Sequence, residues 1–248
     1  MMDTPAREDD QQCRAILQDL GYRIRGDYTE LQGLQPRQVR RIDLRGKTEQ
    51  TVFAQFTRKH RYGTRLAQRR GVQVRVGTVE DVPAFYQLME ITGERNGFHI
   101  REQCYYEHLL KTLGPEHGRL FLAYEGDVCV AGLIGGLYAG LGLYLYGASD
   151  HRYRKNMPTY LLQWEMIRWC LQKGAHTYDL LGMAREGDTQ SELYGLNHFK
   201  KGFGGETVSL IGEVEMVFHP ILQTCFAFLM RKRKQWLHEH AKPVQAEP

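Results

Sequence analysis

Long apolar runs, paired cysteines and a secretory leader are all missing from this sequence of 248 residues. No apolar stretch reaches the roughly 20 residues that a membrane-spanning helix needs. The first ten residues are polar and acidic, where a secretory leader would be basic and then apolar. We therefore expect a soluble, cytoplasmic protein without a transmembrane segment.

The five cysteines are scattered and include no CxxC pair. An odd number of isolated cysteines fits reduced thiols better than a disulfide framework, and it gives no sign of a structural metal. The composition, 42% hydrophobic and 11% aromatic, is that of a folded globular protein. The net charge of +4 is small, so the distribution of charge is more informative than its total.

Acidic residues are absent from Thr51 to Val79, a stretch in which seven arginines and lysines accumulate. One interpretation is a helix that contacts the phosphates of RNA or of a diphosphate-bearing substrate, with Arg58, Arg61 and Arg65 as candidates. The other is a solvated basic helix that links two domains. The sequence alone does not separate the two.

Hydrophobic periodicity and capping signals predict a mixed α/β fold with a central sheet. Thr48 and Pro158 are placed to begin helices. Strands are predicted from Tyr22 to Leu31 and, as the last strand, from Val208 to Phe218. A final helix follows from Pro220 to His240.

A basic segment, His151 to Asn156, lies between a predicted strand and the start of a helix. Unpaired N–H groups and the positive end of the helix dipole favour anions at such a place, and Arg152 and Arg154 add charge. This arrangement resembles the GNAT acyltransferase fold, in which the equivalent loop holds the pyrophosphate of acyl-coenzyme A. The usual glycine spacing of that loop is absent, which counts against coenzyme A as the donor.

The segment Leu193 to Glu206 combines two adjacent lysines with a run of glycines and so suits the approach of an anionic group. Together with other stretches in the right order, it resembles the Fem family of aminoacyl-tRNA-dependent ligases, which extend the stem peptide of peptidoglycan precursors. The stretches that carry the resemblance are Gln35-Pro36-Arg37, Ile42-Asp43-Leu44, Arg61-Tyr62, Arg65-Leu66-Ala67, Gly71-Val72, Glu80-Asp81, Phe85-Tyr86, Leu88-Met89, Arg95-Asn96-Gly97-Phe98, Arg101, Tyr105-Tyr106, Tyr146-Gly147-Ala148-Ser149, Met157-Pro158, Leu161-Leu162-Gln163-Trp164, Tyr178-Asp179 and Gly195 to Glu206.

The resemblance implies two GNAT-like domains in tandem. We expect residues 1–71 to form part of a first domain together with a basic linker helix. Residues 72–218 should form a complete second domain, and residues 219–248 a C-terminal helix that packs back towards the first domain. The resemblance also implies that the front of the first domain, with part of the precursor-binding cleft, has no counterpart in this sequence.

The resemblance also implies roles for individual residues. Arg101 and Tyr105 would bind the diphosphate of a muramyl-peptide precursor, with the hydroxyl of Tyr146 in the same cleft. Phe199 and Lys200 would lie near the aminoacyl ester. The lysine would stabilise negative charge on the attacked carbonyl.

Alternatives accompany these roles. Lys201 replaces its neighbour if the strand register is shifted by one. Arg101 could be a plain surface residue, Tyr105 a packing residue and Phe199 a core residue. The general base is open, with Asp179 and Glu206 as candidates.

The implied reaction moves an amino acid from aminoacyl-tRNA, as co-substrate, to a stem-peptide amine of a nucleotide-linked or lipid-linked precursor. An activated ester needs positioning and oxyanion stabilisation but neither a cofactor nor a metal. Two alternatives remain, an acyl-coenzyme A-dependent N-acyltransferase and a shortened, non-catalytic remnant. The basic half of the last helix, Arg231 to Lys234, could contact the inner membrane face or tRNA, or be solvated surface.

Overall fold

A computed structural model describes residues 2–3, 6–25, 37–189, 191 and 193–240. In chain order the strands are β1 (Met2–Asp3), β2 (Arg23–Arg25), β3 (Gln38–Asp43), β4 (Val72–Gly77), β5 (Gly118–Glu125), β6 (Val128–Tyr138), β7 (Leu141–Ser149), β8 (Thr177–Met183), β9 (Glu206–Ser209) and β10 (Glu213–Glu215). The helices are α1 (Gln11–Asp19), α2 (Glu49–Gln55), α3 (Arg58–Arg69), α4 (Val82–Asn96), α5 (Gln103–His117), α6 (Pro158–Gln172), α7 (Tyr194–Lys201) and α8 (Pro220–His240).

The chain divides into two compact units, one of residues Thr29–Leu210 and one formed by Met1–Tyr28 with Ile211–Pro248. These divisions differ from the predicted domain boundaries after residues 71 and 218, which stay a prediction about the family's repeated fold. The predicted strand from Tyr22 is confirmed for β2, while positions 26–36, including Gln35 and Pro36, lie outside the described residues.

The larger unit contains a seven-stranded sheet in the order β4-β5-β6-β7-β8-β3-β9. The pairs are antiparallel except for β7 and β8, which run parallel. Alternate residues of β5 enter two separate cores: Phe121 and Ala123 face the core formed with α2, α3 and α6, whereas Leu120 and Leu122 face the core formed with α4 and α5. Helices therefore cover both faces of the sheet, as the mixed α/β prediction requires.

Local signals in the sequence account for several helix ends. The Thr48 side chain accepts a hydrogen bond from the backbone N–H of Thr51 and caps α2, as predicted. Pro158 occupies the first turn of α6, where its missing N–H costs nothing. Gly97 ends α4 in the left-handed conformation, with φ of 70°.

The smaller unit contains a three-stranded antiparallel sheet, β1-β10-β2, together with α1 and α8. Its core is small and consists of Leu17, Ile211 and Val214 with partly buried neighbours. The prediction of a single strand from Val208 to Phe218 is wrong. β9 ends at Ser209 and belongs to the larger sheet, while β10 belongs to the smaller one.

Candidate active site

A cavity of about 450 Å³ lies where β7 and β8 stop pairing. These parallel strands are paired only between residues 141–143 and 177–179. Beyond that point β7 continues along β6 and β8 continues along β3. The cavity fills the gap between Tyr144–Ser149 and Leu180–Leu181, and residues of β6, α4, α6 and α7 together with Phe98 complete its lining.

A bulge in β8 opens this gap. The pairing of β3 with β8 shifts register, since Val39 lies opposite Gly182 and Arg41 opposite Asp179. Leu181, inside the bulge, has a φ of 56°, which a branched residue rarely adopts. A bulge of this kind re-aims the backbone beside a site, and here it redirects the strand that lines the cavity.

The Asp179 carboxylate stabilises the bulge. One oxygen accepts a hydrogen bond of 2.7 Å from the backbone N–H of Leu181, and the other pairs at 2.8 Å with Arg41 Nε. Burial raises the pKa of Asp179, and the arginine opposes that effect. With both oxygens engaged and only 2% of its side chain exposed, this carboxylate has a structural function in the fold.

Lys200 lies in the wall of the cavity and is buried. Its Nζ donates a hydrogen bond of 2.6 Å to the carbonyl oxygen of Gly182, in β8 just after the bulge. Burial lowers the pKa of Lys200 to about 8, and the nearby charge of Asp179 partly offsets this. An ammonium has three N–H donors, so two remain beyond the bond to the carbonyl.

The two adjacent lysines point in different directions because they lie on a helix. A shift of strand register cannot exchange the two lysines, because both belong to α7. A helix turns by about 100° per residue, and Lys201 is accordingly exposed, with its Nζ 3.4 Å from a carboxylate oxygen of Glu186. Lys201 is not among the residues that line the cavity.

Phe199 lines the same cavity and connects it to α3. Its ring packs at right angles to those of Tyr160 and Phe203, at centroid distances of 5.3 and 5.0 Å. Its carbonyl oxygen accepts a hydrogen bond of 2.8 Å from Nε2 of His60. Sequence reasoning placed that histidine in a basic helix and missed this contact.

His60 is buried, and both of its ring nitrogens are bonded. Nδ1 lies 2.8 Å from the hydroxyl of Thr57, and burial lowers the pKa of the imidazole. A neutral ring that donates from Nε2 satisfies both bonds. A Cβ at Gly202 would lie 1.8 Å from this ring, so the glycine permits the close approach. The signal in the sequence was the row of small residues three, four and seven positions after the histidine.

Asn197 is a second residue that sequence reasoning missed. Its buried amide donates to the carbonyl of Ala184 at 2.8 Å and accepts from the N–H of the same residue at 2.9 Å. These two bonds fix α7 to the chain that leaves β8. The position of Phe199 and Lys200 therefore depends on Asn197 on one side and on His60 on the other.

The structure brings Arg101, Tyr105 and Tyr146 together. The two tyrosine hydroxyls lie 2.9 Å apart, and the guanidinium carbon of Arg101 lies 5.6 Å from the centre of the Tyr105 ring. Burial raises the pKa of the Tyr146 phenol, and Tyr105 adds to the shift. The arginine precedes α5 instead of belonging to it, since Glu102 is the N-cap. None of the three lines the 450 Å³ cavity, although Leu145 and Gly147, the neighbours of Tyr146, do.

The basic segment before α6 forms a short 3₁₀ helix, His151–Asn156. The Nε of Arg152 donates to Asp150 at 2.8 Å and holds the pKa of that carboxyl below its usual value. Arg154 is exposed. Neither arginine is among the residues that line the cavity.

Arg95, Asn96 and Phe98, which contribute to the resemblance without an assigned role, line the cavity. A second cavity, of about 390 Å³ beside Gly114, contains none of the predicted site residues.

Within the described ranges, no group of three or more His, Cys, Asp or Glu side chains could hold a metal. In the same part of the chain, no helix combines the length and apolar character needed to cross a membrane.

The sequence model of the FemAB family matches residues 2–126 and 123–231. The chain belongs to the FemAB family. The lipid II:glycine glycyltransferase of Staphylococcus haemolyticus is 28% identical over 243 residues, which cover 71% of this chain and 58% of that protein. The enzyme of the same name from Staphylococcus epidermidis is 28% identical over 285 residues, which cover 87% of this chain and 67% of that protein.

The crystal structure of FemX aligns with a TM-score of 0.81 at 24% identity and covers 90% of this chain and 73% of that one. The predicted resemblance and the mixed α/β, GNAT-like fold are confirmed. The chain spans about 58% of the length of the S. haemolyticus relative.

Proposed function

We propose that this protein transfers an amino acid from aminoacyl-tRNA to a stem-peptide amine of a muramyl-peptide precursor on the cytoplasmic side of the membrane. The observation that carries the proposal is a buried lysine ammonium, Lys200, in the wall of a cavity that Phe199 also lines. Family membership and the lipid II:glycine glycyltransferases among its relatives support it.

In the proposed reaction, the neutral amine attacks the ester carbonyl, and the new C–N bond forms as the C–O bond to the ribose breaks. Negative charge develops on the carbonyl oxygen. The ammonium of Lys200, held by its bond to the Gly182 carbonyl, stabilises this charge with its remaining donors. With a pKa of about 8, most of this lysine is charged at neutral pH.

The proton released by the amine passes to the ribose oxygen that leaves. Neither carboxylate considered as a general base is needed for this step. Asp179 is buried with both oxygens bonded, and Glu206 is exposed at the start of β9; neither lines the cavity. An aminoacyl ester is already activated, so positioning and charge stabilisation account for the rate in this scheme.

The acceptor is held by the cluster of Arg101, Tyr105 and Tyr146. A guanidinium next to two phenol hydroxyls offers several donors to the oxygens of a diphosphate. Such a diphosphate occurs in both the nucleotide-linked and the lipid-linked precursor. The cluster therefore binds the invariant part of the acceptor, and the cavity receives the reacting groups.

The test is a transfer assay with the purified chain. Glycyl-tRNA is the first donor, because two relatives are named as glycyltransferases, and a panel of other aminoacyl-tRNAs follows. Muramyl-pentapeptide linked to nucleotide or to lipid serves as acceptor, with mass spectrometry of the stem peptide as readout. An extended peptide supports the proposal. A chain that unfolds cooperatively but extends neither acceptor with any donor contradicts it and favours the non-catalytic alternative.

Coenzyme A is the discriminating control. An acyl-coenzyme A-dependent enzyme would bind it through the basic segment before α6, whereas the engagement of Arg152 by Asp150 leaves less free charge there. We expect calorimetry to show no binding of acetyl-coenzyme A. Binding together with acetyl transfer to an amine would replace the proposal with the second candidate.

A further inference from the structure

The outer face of α3 carries a row of arginines. Arg58, Tyr62, Arg65 and Arg69 follow one another at spacings of four, three and four residues, so they share one face of the helix. All four are exposed. At about 1.5 Å per residue the row is roughly 16 Å long. We call these four residues the basic stripe.

Aromatic rings support two of the arginines. The guanidinium carbon of Arg65 lies 5.3 Å from the centre of the Phe53 ring, and that of Arg69 lies 5.7 Å from the centre of the Tyr62 ring. A planar guanidinium stacked on a ring keeps its N–H edge available for a phosphate. No acidic residue between Thr51 and Val79 competes locally for these groups.

Other basic residues of the region are already used within the fold. Arg61 donates to the backbone carbonyls of Ala54 and Phe56 and so closes the end of α2. Arg70 donates to the carbonyl of Lys155 at 2.9 Å and fixes the basic 3₁₀ segment to the end of α3. Arg61 is therefore left out of the binding surface, although the sequence suggested it.

The inner face of α3 contacts the candidate active site. His60 on that face bonds to the carbonyl of Phe199, and the N–H of Thr57 bonds to the carbonyl of Gly202 at 2.8 Å. The basic stripe lies on the opposite side of the same helix. It is therefore about one helix diameter, roughly 10 Å, from the backbone that carries Phe199.

We propose that the basic stripe binds the phosphates of an RNA chain next to its esterified 3′ end. The inference rests on the proposed function, because an aminoacyl ester that reaches the cavity brings the preceding phosphates to within this distance. An anionic membrane is the less fitting partner. An interfacial helix inserts an apolar face into lipid, whereas the apolar face of α3 is buried in the protein core.

The experiment measures the affinity of the full chain for uncharged tRNA, and for a hairpin RNA with a single-stranded 3′ end, by fluorescence anisotropy at several salt concentrations. The test variant is Arg65→Gln with Arg69→Gln. The matched control is Arg75→Gln with Lys111→Gln, which removes the same charge from exposed residues of β4 and α5. Arg75, like the stripe arginines, lies over an aromatic ring, at 4.4 Å from the centre of Tyr124.

We expect the stripe variant to bind RNA roughly tenfold more weakly than the wild type. The slope of log affinity against log salt concentration should become less negative by about 1.4, because two phosphate contacts to a single strand are lost. The control variant should match the wild type in both. Equal losses in the two variants, or no loss in either, would overturn the inference. A loss of binding to anionic lipid vesicles without a loss of RNA binding would also overturn it.

These outcomes are separable from the fate of the proposed function, because RNA binding needs no turnover. If the wild type transfers no amino acid while the stripe variant alone loses RNA affinity, the function is refuted and the RNA surface stands. If the wild type transfers and the stripe variant keeps its KM for charged tRNA, the function stands and the surface is refuted.

Discussion

Replacing Lys200 with methionine tests the candidate site most directly. Methionine keeps the apolar stem and the approximate volume of the lysine and removes only the ammonium. The ammonium is buried and bonded to the Gly182 carbonyl. Because its charge should act in the transition state, we expect the transfer rate to fall roughly 100-fold to 1000-fold.

Stability should change far less than the transfer rate. A pKa of about 8 in place of the ordinary 10.5 means that burying the charged lysine costs about 3 kcal/mol at pH 7. Methionine removes this cost but leaves the Gly182 carbonyl without its donor, which costs about 1–3 kcal/mol. The two effects nearly cancel, and the free energy of unfolding should stay within about 2 kcal/mol of the wild type.

The same burial predicts a pH dependence. Between the folded pKa of about 8 and the higher unfolded value, the unfolded chain binds more protons than the folded one, so stability rises with pH in this window. From pH 7 to pH 9.5 the gain from this lysine is about 2 kcal/mol. Lys200→Met should lack that gain.

Urea unfolding at the two pH values, together with the transfer assay, provides the measurement. Lys201→Met is the matched control, because it removes an exposed charge from the next position of the same helix. The control should keep both the activity and the pH-dependent gain. The reasoning fails if Lys200→Met retains the gain, if it loses stability and activity in equal measure, or if the control loses transfer instead.

Further predictions concern His60, Asp179 and Tyr146. His60→Leu should lower the turnover roughly tenfold, because the Phe199 carbonyl loses its hydrogen-bond donor. In His60→Gln the side-chain amide can donate instead, so this variant should retain more turnover than the leucine variant. Unaltered turnover in the leucine variant would contradict a positioning role for His60. Burial lowers the pKa of His60, so the unfolded chain binds more protons than the folded one once the pH falls below the ordinary pKa of an imidazole. In urea unfolding, the wild type should therefore lose more stability on acidification than the glutamine variant. Asp179→Ala should lower the free energy of unfolding by about 3 kcal/mol, because Arg41 loses its buried partner. If urea unfolding shows no such decrease, Asp179 does not have the structural role. Tyr146→Phe should raise KM for the precursor about fivefold at constant turnover. A change in turnover without a change in KM would show that the Tyr146 hydroxyl does not bind the precursor.

Periodicity and capping signals predicted the sheet-and-helix frame of the larger unit well, because those signals are local. Thr48 and Pro158 begin helices as expected. The segment Val208 to Phe218 was harder, because its residues have strand character throughout. What divides it is its pairing with two different sheets, β9 with β3 and β10 with β1 and β2. Sequence pattern does not contain that long-range information.

The site shows the same limit at the level of single residues. Resemblance pointed to Lys200, yet only the fold shows that it belongs to a helix and that Lys201 faces outwards. His60 was hidden in a charged run, where only the small residues three, four and seven positions after it indicated a buried helix face. The bulge at Leu181 was equally invisible, since a leucine with positive φ has no sequence signature.

These missed features explain how a helix as short as α7 can position a buried lysine. An isolated helix of eight residues, the length of α7, is unstable in water, because nucleation costs more than so few bonds return. Its position must come from tertiary contacts, and three of these are hydrogen-bonded links from buried side chains: Asn197 to Ala184, His60 to the Phe199 carbonyl, and Lys200 to Gly182. Two of them end on β8 or on the chain that leaves it, and the third ends on the helix that carries the basic stripe. The helix that carries the basic stripe therefore also takes part in positioning the lysine.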